Sequence, residues 1–155
     1  EVDGNEWMNE YRSYFGEAHQ LLPGVEDTLK FAKKQGYKLT VLSNGEKFMQ
    51  RHRLELAGIK DYFDLIVTSE EAHYSKPNPH AFDYFFSRTE IGPNETLFFG
   101  DGLQSDILGA EKYGFDSIWY NHRHRKDNIG LHPLFEVETY PEFVKLMQND
   151  FKKTY

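Results

Sequence analysis

The sequence predicts an α/β fold in which a parallel β-sheet is covered by helices on both faces. Three observations carry that expectation. Short runs of β-branched, aliphatic and aromatic residues recur at 38–43, 64–69, 96–100 and 116–121. Segments with apolar residues at helical spacing lie between them. The runs are apolar throughout rather than alternating, which is the pattern of strands buried on both faces.

Taken in order, residues 5–19 mix aromatic and charged residues at loosely helical spacing, and Leu21-Leu22-Pro23-Gly24 breaks that pattern. Pro23 then opens a helix in which Val25, Leu29 and Ala32 share a face, with Gly36 as its C-terminal cap. The first strand is read over 38–43, a helix over 46–57 ending near Gly58, and a second strand over 64–69. Residues 70–79 read as a loop because they hold two prolines, and Pro79 restarts a helix over 79–88. Gly92-Pro93-Asn94 is a turn into the third strand, 96–100. A helix over 106–114 and a fourth strand over 116–121 follow. A polar stretch, 122–133, runs on to a final helix over 141–148 started by Pro141.

The chain has 155 residues, which suits one domain, and 39% of them are hydrophobic, enough for a core. Its net charge of −7 argues against nucleic acid or an anionic membrane as the main partner. The absence of cysteine excludes disulfides and thiolate metal sites. No apolar run is long enough to span a bilayer, no signal peptide is evident, and a cytoplasmic location is the expectation.

Three strands end in groups able to handle phosphate or metal, and in open parallel sheets ligands bind at the carboxyl ends of strands. Ser43-Asn44-Gly45 places a hydroxyl and successive backbone N–H groups before a helix N-terminus, where an anion can be held. The same residues would also serve as an ordinary helix cap. Ser75-Lys76-Pro77 fixes a lysine between stiff backbone units, able to offset phosphoryl charge. Most lysines are simply solvated. Gly100-Asp101-Gly102-Leu103-Gln104-Ser105-Asp106 sets two carboxylates at a strand tip and the next helix's first turn, which suits Mg²⁺.

These motifs resemble the haloacid dehalogenase-like superfamily of phosphohydrolases. VLSNG resembles its second motif, SKPNP its third and FFGDGLQSDILGA its fourth, and the likeness spans about 21–121. LELAGIKDYFDLIVTSEE and SDILGAEKYGFDSIWYN look closest to the small-nucleotide 5′-phosphatase branch. His73 and Tyr74 stand where many relatives carry a small residue. The resemblance implies a Rossmann-like core and a Mg²⁺-dependent phosphatase acting on a small phosphorylated substrate, such as a nucleoside monophosphate. It implies that Ser43, Asn44 and Gly45 hold the phosphoryl group, with Ser43 hydrogen-bonded to it. Lys76 would pair with that group and with the nucleophilic carboxylate. Asp101 would ligate Mg²⁺, and Asp106 would support the metal through water or a hydrogen bond.

The superfamily's nucleophile is the first Asp of a D-x-D motif on the first strand, with the second Asp as general acid and base. Upstream of Ser43 stand only Asp3 and Asp27, and neither follows an apolar strand. The expectation is therefore a chain without that motif, about 70–90 residues short of the family's usual size. Residues 1–20 resemble the last helix of the family's cap, and 21–155 its core. The family's first strand is central, so its loss would split the sheet and leave two buried edges. A separate N-terminal segment, a strand from a second copy in a homo-oligomer, or direct pairing of the remaining strands would each repair it. The chain by itself is expected to be inactive.

A phosphosugar mutase of the same superfamily and a non-catalytic module binding anions or a partner are the alternatives. A dehalogenase fits less well, because it needs no metal. The basic cluster HRHRKDN at 122–128 reads as a solvated loop rather than a metal site. Phe82, Tyr84, Phe85 and Phe86 read as core packing with Tyr84 outward, and Trp7, Tyr11, Tyr14 and Phe15 as packing within the cap.

Overall fold

Helix α1 (Val25–Lys34) begins after Gly24, which adopts a left-handed conformation at φ 86°, and the Thr28 hydroxyl donates to the Gly24 carbonyl at 2.7 Å. The computed structural model describes residues 20–149. The expected cap remnant, and with it Trp7, Tyr11, Tyr14 and Phe15, lies outside the described residues but for its last position. Glu26 and Asp27 in the first turn of α1 and Lys33 and Lys34 in the last complement the helix dipole.

From there the chain alternates as expected: β1 (Thr40–Ser43), α2 (Lys47–Leu56), β2 (Leu65–Thr68), α3 (Ser69–Ala72), α4 (Pro79–Ser87), β3 (Leu97–Gly100), α5 (Leu108–Tyr113), β4 (Asp116–Tyr120), β5 (Phe135–Val137) and α6 (Tyr140–Asn149). Every strand pair is parallel. The fold is α/β, as predicted.

Two elements differ from the sequence reading. Residues 69–72, read as the end of a strand and the start of a loop, form the short helix α3. Its start is fixed by a capping box: the Thr68 hydroxyl accepts from the Glu71 N–H, and the Glu71 carboxylate accepts from the Thr68 N–H. Between 122 and the last helix the chain forms β5, which pairs with β4 from Ile118↔Phe135 to Tyr120↔Val137. Three residues are too few to show a periodicity, so only the partner strand reveals it.

The strands form two separate sheets. β1 pairs with β2, and β3, β4 and β5 form a second sheet in that order. Among the described residues nothing pairs with the inner edges of β1 and β3, so the direct pairing of those two strands is not the arrangement adopted. A common core joins the halves on one face. Leu42 and Val67 from the first sheet pack with Phe82 and Phe85 of α4, Ala110 of α5 and Phe115. Phe82 is fully buried, and Phe98 of β3 meets its ring edge-on at 6.0 Å. Tyr84, expected to point outward, is half-buried against this core. On the opposite face Ile118, Tyr120 and Val137 pack with Met147 of α6, and Phe31 of α1 and Phe99 of β3 join them.

Between the halves runs an apolar cavity of about 400 Å³. Val41 and Leu42 of β1 line one side and Phe98 and Phe99 of β3 the other, with Leu29 of α1 and Phe143 of α6 over it. Lys76 also reaches its wall. The split anticipated for a sheet without a central strand is therefore the arrangement found in the described residues.

Candidate active site

The carboxyl ends of β1 and β3 and the loop before α4 meet at one corner of the molecule. Their meeting point is Lys76. Its ammonium donates to the Leu42 carbonyl of β1 at 2.7 Å and to Asp106 Oδ1 at 2.7 Å. It also lies 5.2 Å from the centroid of the Phe98 ring of β3. One cation thus bridges the two half-sheets. The Lys76 and Asp106 side chains are only 9% and 10% exposed, so the pair is shielded from solvent and salt. An ammonium has three protons, and these two contacts use two of them.

Asn44 holds the lysine's backbone. Its Oδ1 accepts from the Lys76 N–H at 2.8 Å and its Nδ2 donates to the Lys76 carbonyl at 3.0 Å. The side chain expected to help hold an anion is thereby engaged in positioning Lys76. The Lys76–Pro77 peptide is cis, and Asn78 then caps α4 by accepting from the His80 N–H at 2.9 Å.

The β1–α2 turn is more fully occupied than its sequence suggests. The Gly45 N–H donates to the Ser69 hydroxyl at 2.9 Å. The Lys47 N–H at the start of α2 donates to Glu70 Oε2 at 2.6 Å. The Ser43 hydroxyl donates to Gln50 Oε1 at 3.0 Å. Gly45 is needed for close approach: a Cβ there would lie 2.4 Å from Gln50 Nε2, and its φ of 149° strains other residues. Sequence reasoning missed Gln50, Ser69 and Glu70. A single sequence carries no mark that separates a glutamine in a helix's first turn from a solvated one.

At the end of β3 the turn folds around Asp106. The chain runs through a π-helical turn, Leu103–Ile107, before α5. Asp106 Oδ2 accepts from the Gly102 N–H at 3.0 Å, and Oδ1 accepts from the Ser105 hydroxyl at 3.2 Å besides Lys76. A Cβ on Gly100 would come within 2.5 Å of Asp106 Oδ2, so glycine is what lets the carboxylate lie over the strand end. Asp101, by contrast, is 51% exposed, with Oδ2 3.6 Å from His122 Nε2. His122 stacks on Tyr120 at 4.7 Å. Burial raises the Tyr120 phenol's pKa, and the Asp101 charge adds to it.

The two aspartates are therefore unlike. Both Asp106 oxygens carry donors and the Lys76 charge, whereas Asp101 keeps lone pairs toward solvent. Mg²⁺ is commonly bound through one or two carboxylates, substrate phosphate and water. Asp101 fits such a role as one ligand. Asp106 fits as the group that holds Lys76 and the Gly102 turn. Among the described residues no set of three or more His, Asp or Glu side chains converges as a metal site. His122 and His124 also part company, His124 Nδ1 lying 3.2 Å from Glu138 Oε1, so the basic cluster gathers no ligand set.

Comparison with known proteins decides the family. A model of the haloacid dehalogenase-like hydrolases matches residues 2–114. The chain belongs to the haloacid dehalogenase-like hydrolase family. Within that family it is 36% identical over 127 residues to the pyrimidine 5′-nucleotidase YjjG of Escherichia coli, an alignment covering 81% of this chain and 56% of that protein. The HAD phosphatase of Thermococcus onnurineus superposes with a TM-score of 0.79 at 30% identity, over 88% of this chain and 64% of that one. The magnesium-bound structure of the putative HAD-hydrolase YfnB of Bacillus subtilis superposes with a TM-score of 0.81 at 30% identity, over 95% and 64%. The chain thus spans less than two thirds of the length of these haloacid dehalogenase-like proteins.

Proposed function

We propose that this chain forms the larger part of a Mg²⁺-dependent phosphomonoesterase whose substrate is a small phosphorylated metabolite, with nucleoside monophosphates the first class to test. The observation that carries the reading is Lys76. A shielded ammonium at the carboxyl ends of two strands, with one proton unused, is placed to offset the charge of a transferring phosphoryl group. The names of relatives, pyrimidine 5′-nucleotidase among them, support the substrate class.

The roles follow from the geometry. Lys76 binds the phosphoryl oxygens, and Asn44 and Asp106 hold it in place from backbone and side chain. The Ser43 hydroxyl orients the group once it turns from Gln50. Asp101 would hold Mg²⁺, which supplies further charge neutralisation at the phosphate when bound. Among the described residues Asp106 is the only carboxylate paired with Lys76, and three hydrogen bonds hold it. The nucleophile is then a carboxylate on a strand seated in the slot between β1 and β3, whether from an N-terminal segment or another copy. The 155-residue chain without that strand is inactive in this reading.

The test is Mg²⁺-dependent hydrolysis of an aryl phosphate and of nucleoside monophosphates, with Asp101→Asn as control. No turnover by the chain, and turnover restored by a strand-bearing N-terminal segment and abolished again in Asp101→Asn, is the expected result. Turnover by the chain on its own, lost in Asp101→Asn, would refute the part played by an added strand. Restored turnover that ignores Asp101 would refute the metal role.

A further inference from the structure

Several donors of the phosphate corner are already engaged. Of the groups that the β1–α2 turn could turn toward an anion, the Gly45 N–H is taken by Ser69 and the Lys47 N–H by Glu70. One Asn44 Nδ2 proton goes to the Lys76 carbonyl, and the Ser43 proton goes to Gln50. A phosphoryl group offers only acceptors, so donors beyond the unused Lys76 proton would strengthen its hold.

Gln50 has them. Its Oε1 accepts from Ser43, which turns its Nε2 toward Gly45, where a Cβ would lie 2.4 Å away. That nitrogen carries two protons, and neither has a hydrogen-bond partner among the described residues. Gln50 is half-buried in the first turn of α2, so its carboxamide lies over the turn instead of trailing into water.

We propose that Gln50 is a phosphate-binding residue: its Nε2 donates to a phosphoryl oxygen held at the Ser43–Gly45 turn, and its Oε1 holds the Ser43 hydroxyl beside that turn until the hydroxyl turns to the phosphate. The inference rests on the reading of this corner as a phosphate site, and adds to it a neutral, side-chain donor. It also gives the local sequence a reason. Glycine at 45 leaves room for the carboxamide, and a residue seven positions after Ser43 returns on α2 to the same turn.

The experiment titrates inorganic phosphate into the ¹⁵N-labelled 155-residue chain, following the Gln50 side-chain amide pair, assigned by its loss in Gln50→Glu. Gln50→Glu keeps the shape and an acceptor for Ser43 but replaces the donors with a charged oxygen. Gln50→Met is neutral and separates the lost donor from the added charge. The expected result is a shift of the Gln50 amide signals on phosphate addition, with affinity about tenfold or more weaker in Gln50→Glu and several-fold weaker in Gln50→Met, on the order of one charge-assisted hydrogen bond. Phosphate binding that is lost in Ser43→Ala but unchanged in both Gln50 variants, with static Gln50 signals, overturns the inference and leaves the phosphate site standing. A wild-type chain that binds no phosphate overturns both.

Discussion

At the residue scale, Tyr140 shows how the site's surroundings feel its charge. Its ring leans on Tyr120 at 4.8 Å and on Phe99 at 5.6 Å. Burial, then the neighbouring Tyr120 and Asp101, push its phenol up to about 12 from an ordinary value of 10.0. The sign follows from linkage. The folded state holds the proton more tightly than the unfolded one, so this contribution to stability is complete below about pH 10. It is lost as pH rises toward about 12. Tyr113 and Tyr120 are raised in the same direction, so only a difference isolates Tyr140. The stability of Tyr140→Phe should fall less steeply than the wild type's across that window. Urea denaturation at several pH values between 8 and 12 would measure it. Parallel curves for the two proteins would mean Tyr140 titrates no differently when folded.

At the element scale, α4 is the clamp on the seam. Its Phe82 meets Phe98 of β3 at 6.0 Å, Phe115 at 5.5 Å and Tyr113 of α5 at 5.3 Å, while Phe85 packs in the same core with Leu42 and Val67 of the other sheet. No backbone ladder joins the two halves in the described residues, so this packing carries what a central strand would otherwise share. Phe82→Ala should cost about 3–5 kcal/mol, the usual range for a fully buried phenylalanine. Denaturant melts read that loss directly. A cost under about 1 kcal/mol would show that the seam is held elsewhere. The elements also show where sequence patterns stop informing. Compact aliphatic runs such as Leu65-Ile66-Val67 announced their strands, but β5 is three residues long and is defined by its pairing with β4. In α3 the capping chemistry of Thr68 and Glu71 prevailed over an expectation built on nearby prolines.

At the scale of the whole molecule, the slot of about 400 Å³ between β1 and β3 is the main feature. Two parallel edges face it, and edges left unpaired invite a strand from another chain. Under the proposed function, a synthetic strand of apolar residues ending in aspartate should raise the melting temperature of the chain. It should also slow hydrogen exchange of edge amides in β1 and β3. Without it, the chain should associate as its concentration rises, measured by light scattering. A monomer at every concentration, whose melting temperature ignores the strand peptide, would argue that the slot closes on itself in solution.

The sequence by itself determined the α/β class, the positions of four strands, and Ser43, Lys76 and Asp106 as residues of one corner. Those were legible because hydrophobic runs and residues such as Gly, Pro, Asp and Lys act locally, along the chain. Only the tertiary structure decided which donors and acceptors each residue meets. It gave Asn44 to the Lys76 backbone, Ser43 to Gln50, and Asp106 to Lys76 rather than leaving it beside Asp101 with open lone pairs. Among the described residues it also decided against direct pairing of β1 with β3, one of the repairs the sequence left open. The physical reason is that a hydrogen bond is set by distance and direction between groups far apart in sequence. Ser43 and Gln50 are seven residues apart, Asn44 and Lys76 thirty-two, and Lys76 and Asp106 thirty. No local pattern encodes which of several polar partners will be nearest once the helices have packed.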